Sequence, residues 1–194
     1  MQQRQTVSTP PAPSWLKGYY YVRAAFSVTW VGLAFTLGRS VPQIAAVMLI
    51  IYPAWDAAAN YVDAASNGGL ARNRSQALNL AVSVLTTLCV AVALTQSMNA
   101  VLAVFGVWAV LSGVFQLATG IRRWKSYGAQ WAMILSGAQS ALAGVVFVHA
   151  ARGTGMPSIL DVAPYAAFGG FYFLVSAIWL TVTDMRRGSM RTAA

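Results

Sequence analysis

The sequence is poor in charge and in the residues from which catalytic and metal sites are usually built. Only 9% of its 194 residues are charged, glutamate is absent, and there is one cysteine and one histidine. A single cysteine cannot form a disulfide within the chain, and a single histidine cannot supply a His-rich metal site. The HExxH motif of metalloproteases and the GxxxxGKS/T phosphate loop are also missing. These absences predict that the protein is not an enzyme and holds no cofactor and no metal.

The chain is instead rich in apolar residues, which make up 58% of it. An ordinary soluble domain carries roughly 25% charged residues, so this composition indicates a protein embedded in lipid. The net charge of +9 would also suit nucleic acid. The basic residues, however, fall in short clusters between apolar runs, which is typical of the flanks of membrane spans. We therefore expect a lipid bilayer, and no nucleic acid, as a partner.

Six apolar stretches are long enough to cross a bilayer as helices, which takes about 20 residues each. They cover residues 19–38, 41–62, 77–95, 100–121, 127–150 and 164–183. Together they predict an all-α, polytopic integral membrane protein with six transmembrane helices, its membrane domain covering residues 18–185. The polar, proline-rich residues 1–17 are expected to form a disordered cytoplasmic tail, and residues 186–194 a basic cytoplasmic tail.

The basic residues also predict an orientation. All of them except Arg39 and Arg152 fall on the side of the predicted spans that holds both ends of the chain. Loops rich in Lys and Arg stay in the cytoplasm, so both termini are expected to be cytoplasmic.

An internal repeat is visible in the even-numbered spans. The segment GVWAVLSGVFQLATGIRR (106–123) aligns with GFYFLVSAIWLTVTDMRR (170–187) at the opening Gly, a central Ser, an aromatic residue, a Thr and the closing Arg-Arg. The segment AVMLIIYPAWDAAANYVD (46–63) fits the same frame. A recurrence of about 60 residues in one orientation predicts three repeated helical hairpins. These hairpins cover residues 19–62, 77–121 and 127–184.

The segment GVWAVLSGVFQLATGIRRWKSYGAQWAMILSGAQSALAGVVF resembles the HdeD-like family. The features that carry the resemblance are the Ser-Gly pair at Ser112, followed by an aromatic residue, and the W...LSG pattern that begins at Trp131. That family consists of bacterial inner-membrane proteins built from short repeated two-span units and linked to acid resistance. The resemblance implies a bacterial inner (plasma) membrane location and a role in acid or membrane stress protection. It implies no catalytic residues.

Polar side chains form a column on the second span. Residues spaced by four, four and three positions lie near one helix face, and the column consists of Tyr52, Asp56, Asn60 and Asp63. In the repeat frame, the fourth span carries Ser112 and Gln116 at the levels of Tyr52 and Asp56. Polar side chains that face lipid are costly, so these faces are expected to point inward.

Asp56 needs a partner at its depth, and Arg23 in the first span is the nearest cation in depth. We predict an ion pair between Arg23 and Asp56, or a hydrogen-bond network that they share with Asn60 and Gln116. Two roles are open for Asp56. An intramembrane carboxylate beside a proline-kinked backbone suits a proton or cation site, as in transporters. A paired carboxylate would instead fix how the first hairpin packs.

Small residues form ridges on two spans. The ridge of the fifth span consists of Ser136, Gly137, Ser140 and Gly144. Glycines recur every seven residues on the fourth span, at Gly106, Gly113 and Gly120. Such ridges let helix backbones approach closely in lipid. Packing inside the bundle and contact with a homo-oligomer or a partner membrane protein are both consistent with them.

His149 stands near the outer end of the fifth span. Histidine titrates near neutral pH, so this residue is either a pH sensor or a plain interfacial side chain.

The sequence therefore predicts a non-enzymatic inner-membrane protein of the HdeD-like type, with a role in acid or membrane stress protection. The alternative is a small proton- or cation-coupled transporter or channel that uses Asp56. A third interpretation is an assembly factor that holds a partner membrane protein through its small-residue ridges.

Overall fold

A computed structural model describes residues 14–122 and 130–192 of the chain. Throughout this part the secondary structure is helical, without a strand. The helices are α1 (Ser14–Leu33), α2 (Pro42–Ser66), α3 (Arg74–Ala93), α4 (Met98–Arg122), α5 (Gln130–Ala150) and α6 (Ile159–Thr192). A π-helical turn, Ala34–Gly38, continues α1. The predicted all-α fold is thus confirmed for the described residues. Residues 1–13 of the predicted N-terminal tail lie outside them.

Five of these helices, α2 to α6, are long and apolar enough to cross a membrane. Each is at least 18 residues long over its apolar stretch, which corresponds to about 27 Å at 1.5 Å per residue. The first helix does not reach the same apolarity, because Lys17, Arg23 and a run of three tyrosines lie in its first half. The chain therefore has the composition and helix lengths of a membrane-embedded protein.

The last helix begins earlier than the apolar pattern indicates, at Ile159. Its start is capped by two side chains. The Asp161 carboxylate accepts from the Ser158 backbone N–H at 2.6 Å, and the Ser158 hydroxyl accepts from the Leu160 N–H at 3.1 Å. Free N–H groups at a helix start need such acceptors, which is why Ser and Asp three residues apart favour this position.

The closest helix pairs are α2 with α3, α4 with α5, and α6 with α1. Each even-numbered helix thus packs on the odd-numbered helix that follows it, and α6 closes onto α1. The predicted hairpins instead pair α1 with α2, α3 with α4, and α5 with α6. Of these, α1 and α2 are bridged mainly by long side chains. The α1–α6 pair is closer because small residues meet there: a Cβ on Gly170 would lie 2.9 Å from the Cβ of Ser27.

Glycines set the contact between α4 and α5. A Cβ on Gly113 would lie 2.5 Å from both the Gly137 carbonyl oxygen and the Ala141 backbone nitrogen. Two helical turns away, a Cβ on Gly144 would lie 2.5 Å from the Gly106 carbonyl oxygen. These glycines therefore face each other inside the bundle, and their backbones are in van der Waals contact.

Candidate functional site

The polar column of α2 reaches the middle of that helix. Asp56 lies ten residues before α2 ends at Ser66, which is about 15 Å along a 25-residue helix. Arg23 is the tenth residue of α1, and the π-helical turn prolongs that helix to Gly38. An acid and a base thus lie at matching levels, far from the ends of both helices.

The structure brings Arg23 and Asp56 into direct contact. The Arg23 Nη2 donates to Asp56 Oδ1, and the two side chains are 14% and 19% exposed. The second nitrogen, Nη1, donates to the Tyr19 hydroxyl at 3.0 Å, and that hydroxyl donates to the Ala59 carbonyl at 3.1 Å. The guanidinium also lies over the Phe173 ring, with Cζ 4.1 Å from its centroid. Such a stacked cation gains a further attraction from the ring.

The other carboxylate oxygen is held from two helices. Asp56 Oδ2 accepts from Asn60 Nδ2 at 2.9 Å and from the Ser83 hydroxyl on α3 at 2.8 Å. The Trp108 indole on α4 donates to the same Ser83 oxygen at 3.1 Å. One carboxylate thus connects four helices, α1 to α4. A buried charge with an opposite charge and additional hydrogen bonds is stable where an isolated one is not.

The two residues of α4 that are predicted to lie in the network do not join it. Within the described part of the chain, neither Ser112 nor Gln116 donates a hydrogen bond to the Asp56 carboxylate, although both are half-buried. The physical reason is that the α4 backbone lies close to α3 and not to α2, so α4 meets α2 only through long aromatic side chains. Only the long Trp108 side chain of α4 reaches the network, and it does so through Ser83.

Tyr52 lies one turn from Asp56, in a cluster of aromatic side chains that we call the aromatic plug. Its members are Phe26, Trp30, Tyr52, Phe105 and Trp108. The Tyr52 ring is 4.9 Å from that of Trp30 and 5.8 Å from that of Trp108, measured between centroids. Phe105 is fully buried, and Trp30 and Trp108 are nearly so. The plug fills the bundle on the side of the ion pair that faces away from Asp63.

Asp63 is held at the opposite end of the column. Its Oδ1 accepts from Asn67 at 2.8 Å, and its Oδ2 accepts from Gln76 on α3 at 3.0 Å. The same contact between α2 and α3 therefore recurs at two levels, at Asp56 with Ser83 and at Asp63 with Gln76.

Three side chains of the network are not predicted from the sequence: Tyr19, Ser83 and Trp108. The four-residue spacing of Tyr19 and Arg23 is a usable signal, because such residues are neighbours on a helix surface. Ser83 also carries a signal, since a polar side chain in the middle of an apolar run needs a partner. Nothing in the sequence indicates that this partner is Asp56.

The small-residue ridge of α5 lies against α4. Gly137 and Gly144 meet the α4 backbone, and Ser136 is half-buried. Ser140 donates to the Ala109 carbonyl at 2.9 Å and lies 3.0 Å from the Tyr165 hydroxyl. His149 is exposed in the last turn of α5. Over the described ranges, 14–122 and 130–192, no three His, Cys, Asp or Glu residues gather as a metal site.

A comparison with protein-family models gives a match in the middle of the chain. Residues 81–149 match the family model described as a short repeat of unknown function (DUF308). The matched stretch covers most of α3, all of α4 and nearly all of α5, and hence the glycine-packed pair. No significant match is found among curated proteins or among solved structures.

Proposed function

We propose that this chain is a non-enzymatic, multi-pass protein of a bacterial inner membrane, of the HdeD-like type, that protects the cell under acid or membrane stress. In this proposal all six helices cross the bilayer as three repeated hairpins, with both termini in the cytoplasm. The five apolar helices and the match to a short repeat of unknown function support it. The first helix joins the others because its Arg23 is paired inside the bundle.

One observation carries the non-catalytic, structural interpretation of the site. Both Asp56 oxygens are taken up by protein donors, Oδ1 by Arg23 and Oδ2 by Asn60 and Ser83. A carboxylate that accepts three hydrogen bonds from its own chain, out of about four that it can accept, is suited to holding helices together. A substrate that bound through both oxygens would have to displace these donors.

Survival of acid tests the proposed role. A strain lacking the protein is challenged at low pH beside the parent strain and beside strains carrying the wild type or Asp56→Asn on a plasmid. We expect the deletion to lower survival and the wild type to restore it. Asp56→Asn should restore it in proportion to the amount of folded protein in the membrane. Equal survival of the deletion and parent strains would rule out the protective role.

A small proton- or cation-coupled transporter or channel is the second candidate. It is favoured by the position of Asp56 near the middle of α2, because intramembrane carboxylates often mark ion pathways. Proton and cation flux into liposomes holding the wild type or Asp56→Asn decides between the two. Flux that the substitution abolishes supports transport, and absence of flux from both proteins removes this candidate.

The partners follow from the faces that the bundle leaves exposed. Large apolar side chains project outward from α3 and α5, including Leu85, Leu88, Leu142 and Val146. These faces suit lipid, or a second copy of the chain, or another membrane protein. The polar groups of the network lie elsewhere, and no nucleic-acid role is proposed.

A further inference from the structure

The polar column of α2 faces a second polar column on α3. Ser83 donates to Asp56 at 2.8 Å, and Gln76 donates to Asp63 at 3.0 Å. The second contact lies seven residues later than the first on α2 and seven residues earlier on α3. The two helices are therefore antiparallel and in constant register over two turns.

That register sets Asn79 of α3 opposite Asn60 of α2, because residues 76, 79 and 83 share one helix face. Both asparagines are half-buried. We call the facing set the polar seam, and its members are Asp56, Asn60 and Asp63 on α2 with Gln76, Asn79 and Ser83 on α3. At 1.5 Å per residue the seam runs about 10 Å, from Asp63 to the ion pair.

Two polar atoms at the ends of the seam are buried without a hydrogen-bond partner among the residues that the structure describes. They are Gln76 Oε1, at the Asp63 end, and Arg23 Nε, at the Asp56 end. One is an acceptor and the other a donor. Water supplies both functions, and buried polar groups that the protein leaves unpaired are the usual partners of internal water.

The partial exposure of the side chains along the seam also favours water as their partner. Asp56 retains 19% of its side-chain exposure, and Asp63, Asn60 and Gln76 are all half-buried. Hydrocarbon against these groups would be costly, whereas water entering from the end of the helices would not. One turn beyond Asp56 the surroundings are aromatic instead of polar, because the aromatic plug fills the bundle there.

We infer that the polar seam is a one-sided, water-filled crevice. It opens at the Asp63 end of α2, ends at the Arg23–Asp56 pair, and is closed beyond the pair by the aromatic plug. Water and protons of one compartment reach Asp56, and those of the other do not. The inference rests on α2 and α3 crossing the membrane, as proposed above, and does not depend on the role in stress.

Silver ions, which are close to water in size and bind thiolates, provide the probe. The single native cysteine, Cys89, is first replaced by serine. Single cysteines are then introduced as Asn79→Cys in the seam and, at almost the same depth, as Leu78→Cys, where the native side chain is 46% exposed on the outer face. Thr87→Cys, one turn beyond Ser83, samples the level of the plug.

Silver nitrate is added to sealed membrane vesicles of either orientation, and the remaining thiols are counted with a fluorescent maleimide. We expect Asn79→Cys to be blocked at least about tenfold faster than Leu78→Cys from the Asp63 side, since only a hydrated thiol ionises and reacts. Blocking of Asn79→Cys from the opposite side should be slow. Blocking of Thr87→Cys from the Asp63 side should also be slow. Asn60→Cys replaces Asn79→Cys if the latter fails to insert.

The outcomes separate the two proposals. If the thiols at 78 and 79 react alike and quickly from both sides, the helices do not lie in the bilayer, and the membrane topology and the crevice both fail. If both are protected, the topology stands and the crevice is wrong. If the thiol at 87 is blocked as fast as the one at 79, water passes the plug, and the one-sided closure is overturned.

Discussion

Replacing Gly113 by alanine should weaken the packing of α4 on α5. A Cβ at this position would lie 2.5 Å from a backbone oxygen and a backbone nitrogen of α5, whereas ordinary contacts are 3.4–4 Å. The two helices must therefore separate by about 1 Å, because no side chain can move aside. Overpacking of this kind costs about 1–3 kcal/mol, and the higher helix propensity of alanine returns up to about 1 kcal/mol. We expect a net loss of about 1–2 kcal/mol in the free energy of unfolding.

Gly32→Ala is the matched control. Gly32 is also a glycine inside a helix, but no atom of the described chain outside its own helical backbone lies within 4 Å of the point that a Cβ would occupy. Only the difference in helix propensity between glycine and alanine acts there. The free energy of unfolding of this variant should therefore be unchanged or higher by up to about 1 kcal/mol. Both variants are unfolded in mixed micelles of increasing dodecyl sulfate content, followed by helicity and by tryptophan fluorescence. A Gly113→Ala protein as stable as Gly32→Ala would refute the close backbone contact.

Three further substitutions probe other contacts of the bundle. Trp108→Phe removes the indole donor to Ser83 and should cost about 1–2 kcal/mol in unfolding experiments, without loss of membrane insertion. Lys17→Gln breaks the ion pair with Asp184. Both side chains of that pair are about 30% exposed, so the substitution should lower the free energy of unfolding by less than about 1 kcal/mol, and high salt should abolish this difference. Ser140→Ala leaves a carbonyl and a hydroxyl without their shared partner and should cost about 1–3 kcal/mol, while Ser140→Thr tests whether the hydroxyl alone is needed.

Much of the fold could be predicted because apolar runs of the length of a membrane span leave few alternatives to helix. The described helices overlap all six predicted stretches. The bounds of α6 differ most, since the apolar pattern covers residues 164–183 whereas the helix begins five residues earlier, behind the cap of Ser158 and Asp161, and ends nine residues later, at Thr192. Pro164 is the sixth residue of this helix, just beyond its first turn. The capping pattern is visible in the sequence and corrects the boundary.

Which helices pack together could not be predicted from the repeat. Close pairs form where small residues face each other, as Gly170 does with Ser27, and such partners are far apart along the chain. The contacts of the site could likewise be predicted only in part. Arg23 and Asp56 could be paired from their depth alone, but Ser83 could not be assigned to Asp56 without the register of α2 on α3. A repeat frame built only on the even-numbered helices predicts partners on α4 instead.

The central claim is that a buried ion pair between Arg23 and Asp56 holds the first four helices together. A double-mutant cycle tests it most directly, by comparing the free energies of unfolding of the wild type, Arg23→Gln, Asp56→Asn and the double variant in mixed micelles. Each single substitution should cost about 3–5 kcal/mol, because it leaves the other charge buried without its partner. The double variant should cost clearly less than the two losses combined, with a coupling energy of about 1–3 kcal/mol. Losses that simply add, with a coupling energy near zero, would contradict the account.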